Sequence, residues 1–186
     1  MSTNSRRYLR GLFAIDAIVR RTPDDAWDNP SPCERWTARE VLGHVLWIMH
    51  SMSDQMAGGD PHPQTPEAAM AGPDPVASWD AALARVHEAF DTQGALQKTL
   101  PAFGGVTVDD LSMRLGIDAV VHAWDLGTAV GLAHGIADDL AAEALAMLGG
   151  IPDDQRSPEF MQPATAVAGD APVADRMAAA AGRSLS

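Results

Sequence analysis

Apolar residues recur three and four positions apart along most of the chain, a spacing that predicts amphipathic α-helices. Four long helices are predicted at about 8–19, 37–56, 74–90 and 107–130, followed by shorter ones at 138–147 and 172–181. Thr37 and Glu40 form the sequence signature of a capping box. Asp74 followed by Pro75 marks another helix start, and Gly131 a helix end.

The segments between these helices carry the residues that break regular structure. Residues 57–75 hold several glycines and prolines and few large apolar residues, so we expect a mobile loop there. Residues 151–171 are expected to be irregular, and no apolar–polar alternation indicates a set of strands. We therefore predict one all-α domain over 1–186, an antiparallel four-helix bundle with additional short helices at the C-terminal end.

Charge and cysteine content narrow the classes of function. The 186 residues include 25 Asp and Glu against 13 Lys and Arg, a formal net charge of −12. Such acidity repels phosphates and anionic headgroups, so we expect neither a nucleic-acid nor a membrane partner. The single cysteine, Cys33, cannot form an intramolecular disulfide, which favours a reducing, cytoplasmic compartment. No apolar run reaches the roughly 20 residues of a membrane-spanning helix, and the N-terminus is a poor signal peptide.

Ionisable residues interrupt the apolar faces of two predicted helices. His44 lies between Val41 and Ile48 on the face of the second long helix that we expect to be buried. On the fourth, Asp118 and His122 continue the apolar stripe and project from one side at i, i+4. A buried carboxylate without a partner is costly. Two imidazoles and a carboxylate on facing helices can instead hold a divalent metal with open positions, so these three residues are candidate metal ligands.

Other interpretations of the same residues stay open. Asp118 and a histidine could simply share a core hydrogen bond, in which case the chain is a non-catalytic bundle that binds a small molecule. The helix faces could also form the interface of a homodimer. We do not expect the remaining histidines to be ligands, because they lie on other faces, in the predicted loop, or without a carboxylate at matching spacing. These are His50, His62, His87 and His134.

Two segments of the chain resemble a known family. Residues 27–44 read WDNPSPCERWTAREVLGH, and residues 121–131 read VHAWDLGTAVG. Both are similar to signature segments of the maleylpyruvate isomerase N-terminal domain family, and they occur in the family's order. The tail around Asp175 and Arg183 is similar to the family's short closing helix, so the resemblance covers nearly the whole chain.

The resemblance implies a DinB-like four-helix bundle, a superfamily whose members are often metal-dependent and in several cases act with thiols such as mycothiol or bacillithiol. It also implies that His44, Asp118 and His122 correspond to the family's metal ligands. The isomerase usually carries Glu at the position of Asp118, and a separate C-terminal domain contributes to its active site. Only about 35 residues follow the helix predicted at 138–147. We therefore do not expect the isomerisation itself to carry over.

Spacing and resemblance together predict a metal-dependent enzyme of thiol chemistry. Zinc is the expected metal, with nickel and iron(II) as alternatives. A mycothiol-like thiol is the expected cosubstrate for S-transfer to a small electrophile or for its isomerisation. Cys33 has no histidine in a nucleophilic arrangement, so we interpret it as a packed residue. Trp36 is interpreted as a structural residue of a helix start, and Asp125 as a partner either of a ligand histidine or of a helix end.

Overall fold

The protein is mostly helical in the computed structural model, which describes residues 1–33, 35–63, 65–152, 154, 156 and 161–185. In chain order the helices are α1 (Thr3–Val19), α2 (Ala38–Met56), α3 (Glu67–Ala71), α4 (Pro75–Asp91), α5 (Val108–Ala129), α6 (Asp138–Gly149) and α7 (Val173–Ala180). A short antiparallel strand pair, β1 (Thr99–Leu100) and β2 (Val106–Thr107), precedes α5.

The long helices α1, α2, α4 and α5 pack as a ring in which each has two neighbours. α1 contacts α4 and α5, and α2 contacts the same two helices. Apolar side chains from all four fill the centre of the ring, where they are removed from water and stabilise the bundle. Its fully buried members include Leu12, Ile15, Leu46, Met49, Trp79 and Val120. The predicted all-α four-helix bundle is therefore confirmed.

The helix starts predicted from capping residues are also confirmed. The backbone N–H of Thr37 donates to Glu40 Oε2 at 2.8 Å, and the N–H of Glu40 donates to Thr37 Oγ1 at 3.3 Å. Asp74 Oδ1 accepts from the N–H of Ala77 at 3.0 Å, and Pro75 is the first residue of α4. These bonds satisfy N–H groups that the first helical turn leaves without partners, which is why such short motifs are informative.

Helix α1 departs from the prediction in two respects. It begins at Thr3 rather than near position 8, because Ser2 and Ser5 form a reciprocal capping box. The helical spacing also predicts Phe13 as one of its apolar-face positions, but Phe13 is 74% exposed, whereas neighbouring Leu12 is fully buried. α1 buries only the face that meets the other helices, and Phe13 lies outside that face.

The segment predicted as a mobile loop, 57–75, contains helix α3, which packs against α2. A Cβ at Gly43 would lie 1.7 Å from the carbonyl oxygen of Glu67, so the close approach requires glycine. The pattern missed α3 because it has five residues and its N-cap, Pro66, provides no side-chain hydrogen bond. The strand pair was missed for a related reason, since two-residue strands are too short to show alternation.

The C-terminal helices α6 and α7 form near their predicted positions. α7 packs against α6 and α5, and Trp124 Nε1 donates to Asp175 Oδ1 at 3.0 Å. Between them, the described residues of 151–171 form neither α-helix nor β-strand. Residues 153, 155 and 157–160 of this predicted irregular segment lie outside the described residues.

Within the described part of the chain, none of the helices combines the length and apolar character needed to cross a bilayer.

Candidate metal centre

Helices α2 and α5 bring the three predicted ligands into one group. His44 projects from α2, while Asp118 and His122 lie one turn apart on α5. Asp118 Oδ1 is 3.4 Å from His122 Nε2 and 3.7 Å from His44 Nε2. One candidate ligand atom from each residue lies within 4.8 Å of the other two, so the group could hold a metal ion.

The spacing of these donor atoms suits a shared ion better than direct hydrogen bonds. Both nitrogen-to-oxygen distances exceed the usual hydrogen-bond range of about 2.7–3.2 Å. Ligand atoms bound at about 2.0–2.2 Å to one tetrahedral zinc stand roughly 3.3–3.6 Å apart. The close Asp–His contact near 2.8 Å that a purely structural pair would make is not formed by Asp118 with either histidine.

Asp118 is less buried than its place in an apolar stripe predicted. Its side chain is 34% exposed, whereas those of His44 and His122 are 15% and 7% exposed. The reason is a cavity of about 270 Å³, which opens beside α5 and is lined by both Asp118 and His122. Most of the remaining wall is apolar and comes from α5, the end of α6 and the C-terminal tail. These residues include Ile117, Val121, Leu148, Ile151, Met161 and Ala181.

The electrostatics of the group reflect an anion surrounded by imidazoles. Among the described residues, no lysine or arginine lies within ion-pair distance of Asp118. Burial opposes ionisation of Asp118, yet His122 and His44 hold the pKa of its carboxyl well below the usual range. Burial likewise disfavours a charged His122, but Asp118 and Asp125 outweigh it and raise the pKa of that imidazole to about 9. Without a metal, the site therefore favours a proton on His122, next to the position that a metal ion would take.

A second carboxylate fixes the other side of the His122 ring. Asp125 Oδ2 lies 3.0 Å from His122 Nδ1. Asp125 is itself fully buried and accepts two hydrogen bonds from Arg183, at 2.9 and 2.8 Å. Of the two partners predicted for Asp125, the structure thus shows the candidate ligand histidine. Carboxylate–histidine–metal chains of this kind are common around metal centres.

Trp36 lies against the site, a contact that the sequence prediction did not include. Its ring centroid lies 4.8 Å from that of His44 and 5.8 Å from that of His122, so the indole covers both imidazoles. Two backbone hydrogen bonds with the preceding loop hold Trp36 in this position. Its carbonyl accepts from the N–H of Ser31 at 2.9 Å, and its N–H donates to the carbonyl of Cys33 at 2.8 Å. Arg183 was also missed as a site residue, although the family resemblance had drawn attention to that part of the tail.

The remaining candidates do not belong to this group of potential ligands. Cys33 is half-buried and packs against the hydrophobic core, and burial raises the pKa of its thiol. Among the described residues, none of the other four histidines joins a set of three potential metal ligands.

The chain is similar to one described protein family and to several known proteins. The sequence model of a family described as "Mycothiol maleylpyruvate isomerase N-terminal domain" matches residues 10–127. The chain is 28% identical over 183 residues to the uncharacterized protein Rv0738 of Mycobacterium tuberculosis (strain ATCC 25618 / H37Rv), with 95% of each chain covered. It is 42% identical over 33 residues to the uncharacterized protein Rv0036c of the same strain, covering 18% of this chain and 13% of that protein. No solved structure gives a significant match.

Proposed function

The chain belongs to the mycothiol maleylpyruvate isomerase N-terminal domain family, and from this premise we propose that it is a metal-dependent enzyme that uses a low-molecular-weight thiol. His44, Asp118 and His122 would hold the metal, for which zinc is the first choice and nickel or iron(II) the alternatives. The thiol would be mycothiol or a close analogue. The reaction would be S-transfer to a small electrophile or its thiol-assisted isomerisation.

The observation that carries this proposal is a carboxylate set between two imidazoles, with no lysine or arginine within ion-pair distance among the described residues. Asp118 faces His44 and His122 at 3.7 and 3.4 Å and has no Lys or Arg counterion among the described residues. One carboxylate oxygen and two imidazole nitrogens form a donor set that suits zinc and other divalent first-row metals. Three protein ligands also leave coordination positions open, as catalytic sites require.

The cavity beside the three residues supports a small-molecule reaction. Its volume of about 270 Å³ lies just below the usual range of about 300–1,000 Å³ for ligand pockets, which suits a small electrophile. Asp118 and His122 form part of the wall, so a molecule in the cavity would lie next to the donor set. Arg114 and Arg183 also line the cavity, and the apolar side chains of the wall would exclude water and contact the carbon skeleton of the substrate.

The thiol would have to come from outside the chain. A bound divalent metal would act as a Lewis acid that lowers the pKa of such a thiol. The thiol would lose its proton to solvent, and the thiolate would add to an electron-poor double bond of the electrophile, whose π electrons move onto the conjugated carbonyl. In S-transfer the resulting enolate would take up a proton and the C–S bond would remain. In isomerisation the former double bond would rotate, the electrons would return, and the C–S bond would break to release the thiolate. Cys33 does not suit this task, because burial raises the pKa of its thiol and favours the protonated form.

Metal analysis and a thiol-consumption assay test the proposal together. Protein purified without chelators or nickel resin should contain about one equivalent of metal per chain, and the metal-loaded form should consume mycothiol in the presence of a small electrophile. A protein without stoichiometric metal would refute the proposed site. Metal without thiol consumption would favour the alternative function, a non-catalytic small-molecule-binding bundle, for which the largely apolar cavity is the supporting observation.

A further inference from the structure

One side chain of the C-terminal tail, Arg183, reaches the candidate metal centre. Its Nε donates to Asp125 Oδ1 at 2.9 Å, and its Nη2 donates to Asp125 Oδ2 at 2.8 Å. The same Oδ2 lies 3.0 Å from Nδ1 of His122. The side chains of Arg183, Asp125 and His122 are 5%, 0% and 7% exposed, so the whole chain of contacts is shielded from water.

This arrangement decides which nitrogen of His122 is available to a metal. Because Asp125 accepts two bonds from a guanidinium, it is a carboxylate and can only accept hydrogen bonds. In a neutral His122 ring, Nδ1 must therefore carry the hydrogen. The lone pair is then on Nε2, the atom that lies 3.4 Å from Asp118 on the side of the other candidate ligands.

The backbone around Arg183 is fixed by specific contacts. Its N–H donates to the carbonyl of Ala178 at 3.0 Å, and its carbonyl accepts from Thr165 Oγ1 at 2.6 Å. The preceding residue, Gly182, has φ +85°, and a Cβ there would lie 2.6 Å from Cβ of Gln162. Glycine is therefore required where the chain turns, and the turn places the guanidinium against Asp125.

We propose that Arg183 is a positioning residue for the metal centre: it fixes Asp125, which holds the His122 ring with Nε2 facing the site. The inference rests on the proposed metal site. It extends that site beyond residues 10–127, the region that matches the family. The tail would accordingly complete the centre as well as provide part of the cavity wall, to which Arg183 also contributes.

Zinc affinity and the visible spectrum of the cobalt-substituted protein test this role. We expect Arg183→Ala to weaken zinc binding about tenfold, at the lower end of the range for outer-shell partners, and to change the cobalt absorption bands. Arg183→Lys keeps a cation but loses the two-pronged contact, so it should restore part of the affinity. Asp175→Ala is the matched control, because it removes the bond from Trp124 to α7 without touching Asp125. Its affinity and spectrum should equal those of the wild type.

A double-mutant cycle separates positioning from a general effect on the fold. If Arg183 acts through Asp125, Arg183→Ala should have no further effect on zinc affinity in an Asp125→Ala background. If Arg183→Ala lowers zinc affinity equally in the wild-type and Asp125→Ala backgrounds, the proposal is overturned. An Arg183→Ala protein with a lower unfolding midpoint but unchanged affinity and cobalt spectrum would also overturn it. If Arg183→Ala does not fold, Arg183→Lys provides the test. A zinc affinity of Arg183→Lys equal to that of the wild type would refute the positioning role of Arg183. A wild type that binds no zinc would instead refute the underlying metal site.

Discussion

Helix α2 carries two clusters of histidine and aspartate, and only one of them resembles a metal site. The His44 cluster contains His44, Asp118 and His122, and the His50 cluster contains His50, Asp54, His62 and Arg85. Each combines two imidazoles with one carboxylate. The clusters differ in what neutralises that carboxylate.

In the His50 cluster an arginine side chain neutralises the carboxylate. Asp54 forms an ion pair with Arg85 and lies 3.3 Å from His62 Nδ1. Arg85 Nη1 is also 3.1 Å from Nδ1 of His50, whose ring stacks on that of His62. Burial and the neighbouring His62 and Arg85 lower the pKa of His50. The charge of the Asp54 carboxylate is therefore neutralised by side chains of the same cluster.

In the His44 cluster, among the described residues, only imidazoles lie within ion-pair distance of the carboxylate. A metal ion or a proton on a histidine would supply the positive charge at that distance. The comparison teaches that residue types alone do not distinguish the two clusters. In the described part of the chain, the donor atoms of His44, Asp118 and His122 gather without an arginine within ion-pair distance of the carboxylate. The following predictions test this difference.

The largest expected effect is loss of the metal on His122→Ala. Removing a ligand should cost more than the roughly 10–100-fold loss typical of outer-shell partners, so stoichiometric zinc should disappear. The matched control is His50→Ala, which removes an imidazole from the same protein and should keep about one equivalent. Elemental analysis after gel filtration measures both. Equal retention of zinc by the two variants would contradict the assignment.

Asp118 variants should show that the negative charge and the carboxylate ligand matter more to zinc affinity than the length of the side chain. Asp118→Asn has the same size but no negative charge, so zinc affinity should again fall by more than the outer-shell range. Asp118→Glu keeps the carboxylate and should retain stoichiometric zinc, with affinity within about tenfold of the wild type because the ligand class is unchanged. Isothermal titration with zinc compares them. Similar affinities for the Asn variant and the wild type would mean that Asp118 is not a ligand.

Zinc affinity should rise with pH in the neutral range. In the metal-free protein the pKa of His122 is raised to about 9, so zinc must displace a proton. One released proton per ion gives about a tenfold gain in affinity per pH unit, from about pH 6.5 to 9. Titrations at three pH values, corrected for buffer, measure the slope. A flat profile would contradict the proton competition.

The stability of the metal-free protein should follow the opposite trend. The folded-state pKa of His122 lies above the ordinary value of about 6.5. Its contribution to the free energy of unfolding is therefore fully present below about pH 6.5 and is lost as pH rises through about 9. Denaturant unfolding across that range, with chelator present, detects this loss. His122→Ala should remove the pH-dependent part.

The sequence revealed the candidate ligands more readily than their surroundings, for physical reasons. His44, Asp118 and His122 could be chosen because helical periodicity assigns a face to each residue. The distance between α2 and α5 is set by packing between remote segments, so neither the 3.4 Å spacing nor the cavity could be predicted. Arg183 lies 58 positions from Asp125, and no local pattern records such a pairing.

The smallest expected effect is that of Arg85→Met in the His50 cluster. The Arg85 side chain is 41% exposed and that of Asp54 24%, so losing the ion pair should lower the free energy of unfolding by only about 0.5–1 kcal/mol. The loss should shrink in high salt, because screening already weakens the wild-type pair. Urea unfolding at low and high sodium chloride measures both effects.

The same variant tests how far the counterion alone distinguishes the clusters. Without Arg85, Asp54 also lacks an arginine, yet the described residues show no gathered three-donor group around it. We therefore expect Arg85→Met in a His122→Ala background to bind no stoichiometric zinc. Zinc uptake by this double variant would mean that the arginine was the decisive difference. If the double variant takes up no zinc, the arrangement of ligand atoms on α2 and α5 is required as well.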